Sequence, residues 1–308
     1  MIRIGLYILT NLAVMFVLLI VTKVLGVDRY LAAAGIPYAP LLVFAVVVGF
    51  TGSFISLLIS KWMAKMAYGI KVIGQPENED EKWLCRTVGE LARDAELPMP
   101  EVGIYDSPEA NAFATGATKS GSIVAVSTGL IAQMSRDQLK GVLAHEVSHI
   151  ANGDMVTMSL LQGVLNTFVI VLSRVAGFAI DNFINRGDRD EDNRGGVGIG
   201  YFLSVMVCQI VFGIAASLIV MGFSRWREFR ADEKGARLAG RKNMIGALKQ
   251  LKAIVDANNG QLILDSRSQS LNAFKISGSW HDGVMRLFST HPPLDERIKA
   301  LEENIDLA

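Results

Sequence analysis

Four long apolar runs set the organisation of the chain. The first, Ile4–Val21, follows Arg3 and is interrupted only by Gly5, Thr10 and Asn11. Eighteen or more such residues in helical form cross a bilayer core of about 30 Å. The second, Leu41–Ile59, is preceded by Pro37 and Pro40 and followed by Lys61, Trp62 and Lys65. A Trp flanked by Lys is what a membrane–water interface selects. The third, Met155–Ser173, is dented by Gln162 and Asn166 and ends at Arg174. At helical rise it spans about 28 Å, which places Arg174 at the far interface. The fourth is Tyr201–Phe223. Two alternatives stand beside four spans. The first run, with Ala32-Ala33-Ala34 beyond it, has features of a signal peptide, although its core is long and the small-residue site distant. The third and fourth runs also suit a hydrophobic hairpin buried in protein.

Between and after the runs the pattern becomes amphipathic. Glu77–Leu97 predicts a helix with Trp83, Leu84, Val88 and Leu91 on one face, stopped by Pro98 and Pro100. Glu101–Tyr105, Ala112–Thr115 and Ser122–Ser127 predict short strands, with Lys119-Ser120-Gly121 turning a hairpin between the last two. Ser135-Arg136-Asp137-Gln138 has the spacing of a capping box and opens a helix with Leu139, Val142, Leu143 and Val147 at helical period. Asn152-Gly153-Asp154 closes that helix. Helices are also predicted over Trp226–Ala239, Asn243–Val255 and Leu294–Asn304, whereas Asp181–Gly198 is a solvated loop and Asp256–Gly283 carries no assignable pattern. The fold class expected is mainly α: a polytopic membrane protein of about four transmembrane helices carrying an α+β domain with a small β-sheet. Its segments are 1–60 (two spans), 61–154 (first half of the soluble domain), 155–223 (second pair of spans) and 224–308 (second half).

Composition agrees with this division. Of 308 residues, 51% are hydrophobic and only 19% charged, below the roughly 25% of soluble domains. Thirty basic residues cancel thirty acidic ones, which argues against nucleic acid as a partner, and no nucleotide-binding pattern is present. Two cysteines, Cys85 and Cys208, in unlike surroundings, argue against a disulfide framework. Nine basic residues flank the proposed inner ends of the spans and six the outer ends, a bias that places both termini and both soluble segments in the cytoplasm.

The chemistry centres on Leu143-Ala144-His145-Glu146-Val147-Ser148-His149-Ile150. Two of the chain's four histidines stand here at i and i+4, on one helix face, where both imidazoles can hold one ion. Glu146 follows the first of them, placed to deprotonate a metal-activated water without ligating. A catalytic zinc site needs three protein ligands and an open position. His281, His291 and acidic residues are candidates for the third. Glu228 and Asp232, i and i+4 in Arg227-Glu228-Phe229-Arg230-Ala231-Asp232, supply a better pair: one ligates and the other orients an imidazole through its free N–H. Surface ion pairing with the neighbouring arginines is the plain alternative. The strand Ala112–Thr115, with Ala112, Phe113 and Ala114, can take an extended substrate by backbone pairing.

The chain resembles the HtpX-type membrane zinc proteases, relatives of the CAAX prenyl proteases in the gluzincin group. The pieces that carry the resemblance are the two N-terminal spans, Asn111-Ala112-Phe113-Ala114-Thr115-Gly116, the His145–His149 motif, Ala151-Asn152-Gly153-Asp154, Arg227–Asp232 and Thr290-His291-Pro292-Pro293. The resemblance implies a gluzincin-like zinc protease domain with one Zn2+ per chain, Glu228 as third ligand and Asp232 supporting a ligand histidine. It implies His291 and Asn111 as donors to the developing oxyanion. It further implies an ATP-independent endopeptidase of the bacterial inner membrane that acts on damaged or misassembled membrane proteins, its catalytic face in the cytoplasm. The rival class is a non-catalytic membrane scaffold or chaperone-like protein with a structural zinc.

Overall fold

The computed structural model describes residues 38–184, 199–257 and 289–303. The first apolar run and His281 lie outside these residues, as do most of Asp181–Gly198 and Asp256–Gly283. The chain divides into two compact units, Met1–Ser56 with Met158–Val220, and Leu57–Thr157 with Met221–Ala308.

The first unit is built from parts of three long helices: α1 (Tyr38–Tyr68), α5 (Asp154–Ile184) and α6 (Ile199–Ala239). Each is long and apolar enough to cross a membrane. Small residues let their backbones approach: a methyl at Gly49 on α1 would overlap Thr167 on α5, and one at Gly177 on α5 would overlap Val205 on α6. Ser159 Oγ donates to Ser53 O at 2.8 Å across the α1–α5 contact. Gln162 and Asn166 bond to each other along α5, Nε2 to Oδ1 at 2.8 Å. Phe202, Leu203, Met206, Val207, Ile210 and Val211 remain exposed on α6.

These helices are longer than the hydropathy pattern suggests. α5 runs ten residues past Arg174, whose Nη1 donates to Ile170 O at 3.2 Å and whose guanidinium lies 5.3 Å from the Phe44 ring centroid. Arg174 therefore does not terminate the helix; its charge is engaged by its own preceding turn and an aromatic face. α6 passes from the apolar run into Trp226–Ala239 without a break, because a change from apolar to charged residues contains no helix stop.

The second unit holds the sheet and the remaining helices. The strands β1 (Lys71–Val72), β2 (Glu101–Tyr105), β3 (Ala112–Thr115) and β4 (Ile123–Ser127) lie in the order β1-β2-β4-β3. β4 pairs parallel with β2 (Val102 opposite Val124) and antiparallel with β3 (Phe113 opposite Ala125). β4 is buried throughout, as a central apolar strand should be, and β3 lies at the edge. Ser127 joins strand to helix. Its Oγ accepts from Asn111 N and Leu130 N, both at 3.0 Å, fixing the start of β3 and capping α3 (Thr128–Gln133).

α2 (Glu79–Asp94) is capped by Asn78, whose Oδ1 accepts from Glu81 N at 2.8 Å, and turns Leu84, Val88 and Leu91 into the core. α4 (Arg136–Asn152) begins with the complete capping box of Ser135 and Gln138. Leu139, Leu143 and Val147 of α4 pack with α2, with Val124 and Val126 of β4, and with Ala247 of α7 (Arg241–Ala257). A methyl at Gly141 would lie 2.6 Å from Asn243 O, so only glycine permits this α4–α7 approach. α8 (Leu294–Glu303) docks Ile298 and Leu301 against Ala236, Met244 and Leu248.

Candidate metal centre

α4 carries His145 and His149 on its buried face. Their rings meet edge to face with centroids 4.6 Å apart, and their Nε2 atoms are 3.1 Å apart. Within Leu143–Ile150 only Glu146 keeps partial exposure. α6 brings in Glu228, which is fully buried, with Oε2 3.3 Å from His145 Nε2 and Oε1 3.3 Å from His149 Nε2. Glu228 Oε1 makes no hydrogen bond of good geometry. An orphaned carboxylate oxygen beside two imidazole nitrogens is costly unless something positive sits among them. Among the described residues, His145, His149 and Glu228 form one group whose ligand atoms all lie within 4.8 Å of one another. Gly235, one turn beyond Asp232, makes room for α6 here: a methyl at that position would stand 3.1 Å from His145 N.

Both imidazoles are oriented from behind. His145 Nδ1 donates to Asp232 Oδ1 at 2.9 Å, and His149 Nδ1 donates to Asp154 Oδ2 at 2.5 Å. A carboxylate at each Nδ1 makes that nitrogen the protonated one and leaves the Nε2 lone pairs facing each other and Glu228. Burial pulls the His145 imidazole down, but hydrogen bonds to Asp232 and Glu228 outweigh it and raise the group to about 9. Burial likewise pulls His149 down, and the bond to Asp154 leads the forces that leave it raised. Counting Asp154, Glu228 and Asp232 against Arg227 and Arg297 leaves this buried cluster one negative charge when the imidazoles are neutral, a balance that favours a cation.

The structure brings together His145, His149, Glu228, Asp232 and also His291, whose Nδ1 lies 2.7 Å from Glu228 Oε2. The imidazole of His291 is otherwise largely exposed. Asn111 stands at the start of β3, held through its backbone by Ser127, and none of the described hydrogen bonds ties it to the cluster. Ala112 and Ala114 pack on the core beside α4, while Phe113 meets Tyr68 and Tyr105 at ring distances of 5.1 and 5.8 Å.

Two members of the cluster escape the sequence pattern. Asp154 reads as part of a helix-closing turn. Gly153 adopts a left-handed φ of 72°, ends α4 and reverses the chain so that Asp154 returns to His149. Arg297 reads as one more charge on a polar helix, yet it is only 6% exposed and grips Asp232 through Nε (2.7 Å to Oδ2) and Nη2 (2.6 Å to Oδ1). The consecutive residues Asn152-Gly153-Asp154 give no hint of either contact; the glycine at the end of the helix is the one sequence signal for the first.

Residues 78–305 match the model of peptidase family M48. The chain belongs to this family. It is 57% identical over 300 residues to a protease HtpX homolog of Methylacidiphilum infernorum, covering 97% of this chain and 98% of the relative. It is 51% identical over 305 residues to protease HtpX of Alcanivorax borkumensis, covering 98% and 99%. Among solved structures it is similar to Ste24p of S. mikatae, with a TM-score of 0.59 at 17% identity over 92% of this chain and 67% of that one, a likeness of fold. Membership of this family makes the chain a membrane metalloprotease, with the small mixed sheet and long apolar helices expected of it.

Proposed function

We propose that the protein is a zinc-dependent endopeptidase in which His145, His149 and Glu228 hold one zinc ion per chain. The observation that carries this is the spacing of the donors. Tetrahedral zinc with ligands at about 2.0–2.1 Å separates adjacent donors by about 3.3–3.4 Å. His145 Nε2 and His149 Nε2 stand 3.1 Å apart, Glu228 Oε2 lies 3.3 Å from the first and Glu228 Oε1 3.3 Å from the second, so the carboxylate straddles both imidazoles close to that spacing. Three protein ligands leave the fourth position for chemistry, whereas structural sites are usually closed by four. That difference, with the partly exposed Glu146, favours an enzyme over a scaffold with a structural metal.

A zinc ion held by His145, His149 and Glu228 would supply acidity to the attacking water and polarisation of the scissile carbonyl. Glu146 takes the proton from that water and passes it to the leaving amine. Asp232 and Asp154 hold the two imidazoles in the tautomer that ligates. His291, anchored through Nδ1 on Glu228, and Asn111, at the head of β3, donate to the oxygen that gains charge. The outer edge of β3 takes the substrate as an added strand through Ala112, Phe113 and Ala114, a mode that tolerates many sequences. The substrates are damaged or misassembled membrane proteins, cleaved on the cytoplasmic side of the bacterial inner membrane.

Proteolysis by the detergent-purified protein tests this reading. Activity should vanish on chelation and return with zinc. Glu146→Gln should keep zinc and melting temperature while losing about 10²- to 10⁴-fold in rate. A Glu146→Gln variant that cleaves at the wild-type rate removes Glu146 from the mechanism.

A further inference from the structure

We infer that Arg297 is a positioning residue for the metal centre, acting on His145 through Asp232. The inference rests on reading His145 as a metal ligand.

A buried guanidinium is costly unless its donors are met. Arg297 meets that cost chiefly through one partner, since Nε and Nη2 form a fork on the two oxygens of Asp232 at 2.7 and 2.6 Å, while the direct approach of Nη2 to His145 Nδ1 is longer, at 3.4 Å. The same Asp232 Oδ1 that accepts from Arg297 Nη2 at 2.6 Å also accepts from His145 Nδ1 at 2.9 Å. The arrangement is therefore a relay of guanidinium, carboxylate and imidazole. A bidentate fork fixes both the position and the plane of the carboxylate, and the carboxylate fixes the ring. Arg297 Nη1 is 3.7 Å from Glu228 Oε2, so the same cation faces a second proposed ligand.

Docking of α8 does not explain this placement. Ile298 and Leu301 anchor the helix in an apolar cluster, and Lys249–Glu302 (2.8 Å) and Lys252–Asp295 (2.5 Å) tie it at the surface. Arg297 is directed away from those contacts and into the site. Without it, Asp232 would keep a buried charge answered only by His145. The carboxylate would then be free to turn, to take up a proton, or to crowd the metal position, and each outcome loosens His145.

The test is zinc affinity, measured by chelator competition on the full-length chain in detergent for wild type, Arg297→Met, Arg297→Lys, Asp232→Asn, the double variant Arg297→Met/Asp232→Asn, and Lys249→Met. Wild type should bind one zinc; failure to do so would refute the metal-site reading itself. Given that binding, Arg297→Met should weaken zinc about 10- to 100-fold. Arg297→Lys should recover part of that loss, because it restores charge without the fork. The double variant should be no weaker than the worse single one, since both changes break the same relay. Lys249→Met, which removes a surface tie of α8, should bind zinc as wild type does. Wild-type affinity in Arg297→Met, losses that multiply in the double variant, or an equal loss in Lys249→Met would each overturn the inference. Should Arg297→Met fail to fold, Arg297→Lys decides alone: affinity equal to wild type would refute a role for the fork, and an intermediate loss supports it.

Discussion

The two imidazoles on α4 are held by carboxylates of different origin. His149 is served by Asp154, five residues along the chain and delivered by the left-handed turn at Gly153. His145 is served by Asp232 on α6, itself gripped by Arg297 on α8. The backing differs as well. Arg297 is buried and makes two short bonds to its carboxylate, whereas Arg227 reaches Asp154 only at 3.6 Å and is more exposed. One half of the support is therefore complete once α4 ends and turns. The other exists only after α6 and α8 have docked. The centre couples a locally encoded half-site to a tertiary one, so metal affinity reports on assembly of the second unit.

The largest effect is expected where the halves converge. Glu228→Ala should lower zinc affinity by more than the roughly 10- to 100-fold typical of an outer partner, with helix content unchanged by circular dichroism. Full zinc occupancy in that variant would move the third ligand to His281 or His291.

Asp232→Asn and Asp154→Asn separate the halves. Each should weaken zinc by about 10- to 100-fold, because each removes the charged acceptor behind an imidazole. Their melting temperatures should differ. Asp232→Asn strands the Arg297 cation in the interior, a change that costs about 3–5 kcal/mol when a buried pair is broken. Asp154→Asn leaves only the more accessible Arg227. Equal melting temperatures would erase the distinction drawn between the two supports.

A smaller and graded effect comes from pH. In the metal-free protein the His145 imidazole is raised to about 9, so at neutral pH zinc must displace a proton from it. Apparent zinc affinity should rise by about tenfold per pH unit for each proton displaced, from pH 7 towards 9, and then level off. The linked stability has the opposite sense. A raised imidazole stabilises the metal-free fold fully below its unfolded value of about 6.5 and loses that contribution as pH rises through about 9. Asp232→Asn should shift the affinity rise to lower pH, and Asp154→Asn should leave the His145 step in place. An affinity flat between pH 7 and 9 would contradict the assignment.

How much of this was legible in the sequence follows the same division. The capping box at Ser135, the strands at Glu101–Tyr105 and Ala112–Thr115, and the i, i+4 histidines are short-range patterns, and each is present in the structure. The continuous α6 was not legible as one element. Polarity changes at Phe223 while helical propensity does not, so the hydropathy boundary there is not a structural one. β1 and α3 are too short to carry a periodicity. Arg297 could not be distinguished from Lys299 on pattern alone. Only the docking of α8 reveals that one is buried on Asp232 while the other remains at the surface.

Zinc K-edge X-ray absorption on the purified full-length protein addresses the central claim most directly. We expect one zinc per chain with nitrogen and oxygen ligands at about 2.0–2.2 Å, including an imidazole scattering pattern that accounts for two histidines. The pattern should fall to one imidazole in His149→Ala wherever zinc is retained. A sulfur shell at about 2.3 Å would bring Cys85 or Cys208 into the coordination sphere. That result, or a site with no imidazole, would contradict a centre built from His145, His149 and Glu228.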